Sequence, residues 1–298
     1  MRAEDLADKE PNVLELLTEP FAYGFMRTAL LAGLLTVVTS SLIGTWVVLR
    51  GMAFMGDALA HGVLPGIAIA FILGGNLMVG GALSAVVMIG GVSLASARSR
   101  LGEDTSIGLL FVGMLAAGVA IISKRGAYAG DLTTILFGDP IGVTRGDLRV
   151  IAVAAVVTLL ATVIFYRPFL VLAFSRAKSQ VLGLRPGVTH VIMLALVALV
   201  VVTSFRTVGT LLVFAFLVAP PATASLISRR VPVMMGTAML LGALSVVVGL
   251  LVSFHYATAT AATIAGISVV LFFLVLAAQE VRGRYRARRH RTAASTPA

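Results

Sequence analysis

Asp57 and His61 stand four residues apart inside Gly51 to Gly75, an apolar stretch long enough to cross a bilayer, and Asp57 is the only carboxylate between Glu19 and Glu103. A charged group near the middle of a membrane segment costs at least ~2.5 kcal/mol on insertion scales and is retained for function by default. Positions four apart share one helix face, so the pair offers an oxygen and a nitrogen to one point, a donor set for a divalent transition metal. The competing structural role is a self-neutralising i, i+4 pair, or neutralisation of Asp57 by an arginine elsewhere. Two side chains are too few for a closed metal shell. Two copies about a two-fold axis would present two carboxylates and two neutral imidazoles, and the two negative charges would cancel a 2+ ion inside the bilayer. Such a site has to be transient, because a conducted ion must also leave.

The elements that carry this pair are membrane helices. The chain has 298 residues, 59% hydrophobic and 12% charged, with a mean hydropathy of +1.03. Apolar segments fall near 22–49, 52–75, 77–97, 106–123, 148–166, 188–205, 208–228, 231–254 and 263–280. They predict an all-α, polytopic transmembrane bundle of about nine helices, with eight as the alternative if the first run is broken or the fourth is re-entrant. Period-two alternation is absent, which excludes a membrane barrel. Three regions follow: an acidic extracytoplasmic start over 1–21, a transmembrane domain over 22–280, and a basic tail over 281–298 expected to be disordered. Pro65 cannot donate to the His61 carbonyl, so a bend is predicted there. Ala58, Gly62 and Gly66 form a smooth strip beside Asp57 and His61 where another helix or a substrate could approach.

Charge sets the orientation. Arg50, then Arg98 with Arg100, then Arg167 through Arg185, then Arg229 with Arg230, then the tail from Arg282 to Arg291 occupy alternate breaks, so these breaks and the C-terminus are predicted to be cytoplasmic and the N-terminus outside. The net charge of +10 is concentrated in the tail, which suits anionic lipid rather than nucleic acid. The acidic start lacks the pattern of a cleaved signal peptide. With no cysteine, disulfides, thiolate metal sites and Fe–S clusters are excluded. The lysines, Lys9, Lys124 and Lys178, follow no P-loop pattern, so the chain does not hydrolyse ATP itself. There is no HExxH, and one Asp with one His is too little for an intramembrane enzyme. A secondary, ion-coupled metal transporter working without an ATPase is the alternative function; it would need further buried acids, and every other carboxylate falls at a segment end or in a loop.

The run Phe54-Met55-Gly56-Asp57-Ala58-Leu59-Ala60-His61-Gly62-Val63-Leu64-Pro65-Gly66 resembles the signature helix of the ABC-3 family of metal transporter permeases. The likeness continues, in family order, through Glu103 to Gly108, Leu136 to Asp139, Val208 to Val213 and Leu217 to Ala224, and spans about residues 24 to 280. It implies a permease subunit in the prokaryotic cytoplasmic membrane. Such a subunit pairs with a second permease copy or a related permease, two cytoplasmic ABC ATPase subunits and an extracytoplasmic metal-binding protein. The implied cargo is Zn2+, Mn2+ or Fe2+, with no permanently bound cofactor, and Asp57 and His61 face the translocation path.

The same likeness places ATPase coupling in the cytoplasmic stretch from Arg167 to Pro186. Ser175 to Leu184 is predicted to form a short interfacial helix with Val181, Leu182 and Leu184 free to pack into an ATPase groove, ended by Gly183 and Pro186. Family members often carry an acid in this segment, whereas Arg176 and Lys178 make it basic here. Near the last outer turn the family commonly has Asp-Pro-Gly, and this chain has Ala257, with His255 the nearest replacement ligand. His190, His255 and His290 are expected to be interfacial or solvated. Asp104 with Thr105 and Ser106 is expected to cap a helix, Asp139-Pro140 to close a turn, and Pro220-Pro221 to bend an apolar run.

Overall fold

Long apolar runs in a bilayer can satisfy their backbone polar groups only within helices, and the chain obeys this throughout. The computed structural model describes residues 18–98, 103–123 and 142–294, and every regular element in them is helical. A 3-10 turn over Glu19–Ala22 leads into α1 (Gly24–Leu49), followed by α2 (Ala53–Gly62), α3 (Leu64–Ile72), α4 (Leu77–Arg98) and α5 (Glu103–Ser123). The second half comprises α6 (Arg145–Ile164), α7 (Tyr166–Phe174), α8 (Arg176–Val181), α9 (Pro186–Ile227), α10 (Val231–Tyr256) and α11 (Thr260–Ala294). Among the described residues, eight helices are long and apolar enough to cross a membrane, α2 and α3 together counting as one, and Leu211–Ile227 is a shorter apolar helix.

That shorter helix runs back along the bundle, because α9 is not one rod. Gly209 has φ 79° and ψ 159°, far from helical values, and separates Pro186–Phe205 from Leu211–Ile227. A straight helix would set His190 and Ala224 about 50 Å apart. Instead both lie at the C-terminal end of α1: Arg50 Nη1 is 2.6 Å from His190 Nδ1, and Val48 and Leu49 pack on the cluster of Ala224, Met234 and Ala238. The chain therefore reverses at Gly209, a backbone conformation open to glycine alone among the ordinary residues. Trp46 meets Tyr166 and Phe169 at this same end, with ring centroids 5.5 and 5.7 Å away. Arg50, Arg98, the Arg167–Arg185 stretch, Arg229 and Arg230 thus gather at one end of the bundle, as their alternation in the sequence requires.

The core lies around α1 and the two halves of α9, where Trp46, Phe205 and Phe216 are fully buried. Glycine lets backbones touch in this region. Pro221 has no N–H for the Leu217 carbonyl, and that carbonyl faces Gly44 of α1 so closely that a β-carbon there would collide with it. Pro220 and Pro221 are accordingly accommodated inside helix, and the sharp departure from helical geometry is at Gly209, not at the prolines. Segment 281–294, expected to be disordered, continues α11 to Ala294. Its alanines and arginines are strong helix formers, and Arg284 clamps Glu280 one turn earlier at 3.1 Å. Residues 1–17, the Leu136 to Asp139 motif and the Asp139-Pro140 turn lie outside the described residues, as does the Asp104 side chain.

The outer turn joining α10 to α11 carries a strained residue. Ala257 sits at φ 51°, ψ 39°, the left-handed cap of α10, where a side chain is disfavoured and glycine is not. Ala257→Gly is expected to raise the stability of the solubilised protein by up to about 1 kcal/mol, read as a higher melting temperature; an unchanged or lower one would show that the turn relaxes around alanine.

Candidate functional site

A tight turn at Arg50 to Met52, with Gly51 at φ +68°, reverses the chain from α1 into α2. Asp57 and His61 lie four and eight residues into α2, roughly 6 and 12 Å from its start at the arginine-rich end. His61 Nε2 is 3.5 Å from Asp57 Oδ1, a proximity too long for a firm hydrogen bond. The other ring nitrogen, Nδ1, is buried and has no hydrogen-bond partner. The side chains are 24% and 29% exposed, respectively. Phe54, 44% exposed, lies on the same face, and Phe111 of α5 meets both rings edge-on, 5.6 Å from His61 and 5.5 Å from Phe54. The pair is therefore half covered by an aromatic wall, with the histidine held at its edge and its nitrogens left without firm partners. Buried polar atoms are normally satisfied, and a ring in this condition is equipped to bind.

The neighbouring strip is largely covered. Ala58 is buried, a β-carbon on Gly62 would strike the Met88 sulfur, and one on Gly66 would strike the Gly80 carbonyl. The smooth strip expected to admit another helix or a substrate is occupied by α4 of the same chain, because small residues at this spacing draw the nearest helix into backbone contact. The bend predicted at Pro65 is present as the break between α2 and α3 at Val63. Its construction involves a residue that spacing alone does not reveal. Ser84 Oγ donates to the Gly62 carbonyl at 2.8 Å and accepts from the Gly66 N–H at 3.3 Å, a hydroxyl inserted where those two groups would otherwise bond each other. Beyond the bend, Pro65, Gly66, Ile69, Leu83, Val87 and Met114 help line an apolar groove of about 520 Å³.

No third histidine or carboxylate joins Asp57 and His61 among the described residues. His190 contacts Arg50, and His255 is exposed with Nδ1 2.8 Å from the Leu251 carbonyl. At the opposite end of the bundle, a pocket of about 330 Å³ between the start of α1 and the α10–α11 turn is lined by Phe25, Met26, Ser253, Phe254, Ala257 and Thr258 among others, with no acid and without His255.

The segment from Arg176 to Leu184 takes the shape expected of it. Ser175 caps α8 by accepting the Lys178 N–H at 3.2 Å, Ser179 anchors the helix by burial, and Gly183 at φ +70° ends it. Val181 and Leu182 project at 88% and 63% exposure, beside the exposed Arg176 and Lys178, while Leu184 is half-buried. An apolar knob thus projects beside positive charge at the arginine-rich end of the bundle.

Residues 22–279 match the model of the ABC 3 transport family. Manganese transport system membrane protein MntC of Halalkalibacterium halodurans is 35% identical over 263 residues, covering 88% of this chain and 90% of that protein. Chelated iron transport system membrane protein YfeD of Yersinia pestis is 35% identical over 264 residues, 89% of each chain. Among solved structures, PsaBC from Streptococcus pneumoniae in complex with Fab superposes with a TM-score of 0.79 at 28% identity, covering 89% of this chain and 95% of that one.

Proposed function

This chain belongs to the ABC 3 transport family as a multi-pass membrane permease subunit, and on that footing we propose that it passes Mn2+, Fe2+ or Zn2+ into the cell by way of Asp57 and His61. It is a transport subunit and not an enzyme; ATP hydrolysis belongs to a separate subunit. The observation that carries the proposal is the unpartnered His61 Nδ1 and the Asp57 carboxylate beside the same ring, on a partly exposed face of a membrane helix. Relatives named for manganese and for chelated iron support the cargo class, and zinc uses the same nitrogen and oxygen donors.

Two donors from one chain leave the ion under-coordinated, so the working unit is a pair of permeases with the Asp57 faces opposed across a two-fold axis. The arginine-rich end is the cytoplasmic one, by the positive-inside rule, and the opposite end receives the ion from an extracytoplasmic metal-binding protein. Because the pocket at that opposite turn holds no acid, delivery there depends on the binding protein's own ligands and on uncharged hydroxyls. The decisive experiment is reconstitution of the permease with its ATPase and metal-binding protein in liposomes: metal-loaded binding protein stimulates ATP hydrolysis and metal accumulates inside. Accumulation without the ATPase would instead establish a secondary transporter.

Coupling runs through Val181 and Leu182. Val181→Glu with Leu182→Glu is expected to remove the apolar knob and reduce co-purification of the ATPase subunit at least roughly tenfold, with the permease itself still monodisperse, since both side chains are already in solvent. Undiminished co-purification would place the docking surface elsewhere.

A further inference from the structure

We propose that the arginine-rich end holds a binding site for the phosphate headgroup of an anionic phospholipid, in the pocket between the α9–α10 turn and the end of the α11 membrane span. The pocket, about 540 Å³, is lined by Leu226, Ile227, Ser228, Arg229, Gln279 and Arg282, with Ser225 and Gly283 completing the wall. Arg229 comes from the α9–α10 turn and Arg282 from within α11. Neither has an acidic partner among the described residues, and Glu280, the acid on α11 nearest Arg282 in sequence, is held by Arg284 at 3.1 Å. The Gln279 amide donates to the Leu226 carbonyl and ties the two walls together. Two guanidiniums without acidic partners lining one pocket are suited to hold a phosphate.

The surroundings select a lipid over a soluble anion. Arg282 lies in the last turn of the candidate span Thr260–Arg284, at headgroup depth. Ile227, which lines the pocket, is 51% exposed, and Val233 at the start of α10 and Leu276 and Val281 on α11 are exposed as well. An amphiphile satisfies both surfaces at once, its phosphate between the arginines and its chains along the apolar flanks. Basic pockets between membrane helices recognise anionic headgroups by this division of labour.

The test is native mass spectrometry of the purified permease–ATPase complex, delipidated and then offered equal phosphatidylglycerol and phosphatidylcholine. The wild-type complex retains phosphatidylglycerol by about tenfold over phosphatidylcholine, and Arg229→Gln with Arg282→Gln brings the ratio close to one. Arg284→Gln, outside the pocket, and Arg229→Lys with Arg282→Lys keep the preference. If the double glutamine variant does not assemble, the two single glutamine substitutions are read in the same way, each lowering the ratio. A wild-type ratio in the glutamine variants overturns the site, and displacement of phosphatidylglycerol by millimolar inorganic phosphate overturns the lipid as its occupant.

Discussion

Asp57→Ala and His61→Ala are each expected to reduce metal uptake to background while the permease still assembles with its ATPase. Removing one member of a charged or hydrogen-bonding set inside the bilayer costs about 3 kcal/mol or more, roughly a hundredfold in the occupancy of a site that must fill on every cycle. If the working unit is a pair of permeases, each substitution removes two donors at once. Asp57→Asn separates the two contributions of the aspartate: the amide keeps an oxygen donor and nearly the same volume but supplies no negative charge, so uptake is lost if charge cancellation is the requirement. His61→Gln asks the same of the imidazole. Assembly is preserved because neither side chain holds the helix in place: their mutual distance is 3.5 Å, and His61 Nδ1 bonds nothing. Normal uptake by Asp57→Ala and His61→Ala at normal expression would return the pair to a structural role.

The sequence and the fold agree most where the signal is a run of many residues. Among the described residues, eight of the apolar segments become helices long enough to cross and the ninth becomes the shorter Leu211–Ile227, because hydropathy over about 20 residues leaves little alternative in a bilayer, and the alternating arginines come to one end for the same reason. Asp57 and His61 were legible because a carboxylate is so rare in that context. What spacing did not convey is who fills the neighbouring surface. Gly62 and Gly66 advertise a close approach without naming the partner; of the two expected, another helix or a substrate, it is a helix, and Met88 and Gly80 of α4 in the same chain supply it. Phe111 carried no signal, since one aromatic in an apolar helix is ordinary. Ser84 carried a faint one: a hydroxyl in a membrane helix needs an acceptor, but only the fold shows that it splices the bend after His61. Gly209 was hidden among other glycines, while the conspicuous Pro220 and Pro221 drew attention to a place where the helix continues. A proline pair announces missing donors, whereas a reversal requires a left-handed backbone, and that property is invisible until φ is known.

The crossing of α3 and α4 yields the largest expected effect on stability. Gly66 and Gly80 face each other so closely that a β-carbon on either would meet the other's carbonyl oxygen. On Gly80 it would also lie 2.6 Å from the Ala70 β-carbon, and on Gly66 2.7 Å from that of Ser84. Backbone cannot yield as a flexible side chain does, so Gly80→Val or Gly66→Val has to drive the helices apart, an overpacking penalty of about 3 kcal/mol. Ser84→Ala spares the contact but leaves the Gly62 carbonyl and the Gly66 N–H without their bridge, a milder loss of about 1 to 3 kcal/mol. Gly90→Ala and Gly113→Ala are the matched controls, because nothing lies within 4 Å of a β-carbon at either position and alanine favours helix. Melting of the solubilised protein, followed by size-exclusion chromatography, should rank the variants with Gly80→Val and Gly66→Val lowest, Ser84→Ala between, and the controls at or above wild type. A Gly80→Val protein as stable as Gly90→Ala would mean that the two helices do not touch. The same ranking separates support from chemistry. Gly80→Val should lose transport together with assembly, because the bend it props begins two residues after His61, whereas Asp57→Ala should lose transport alone.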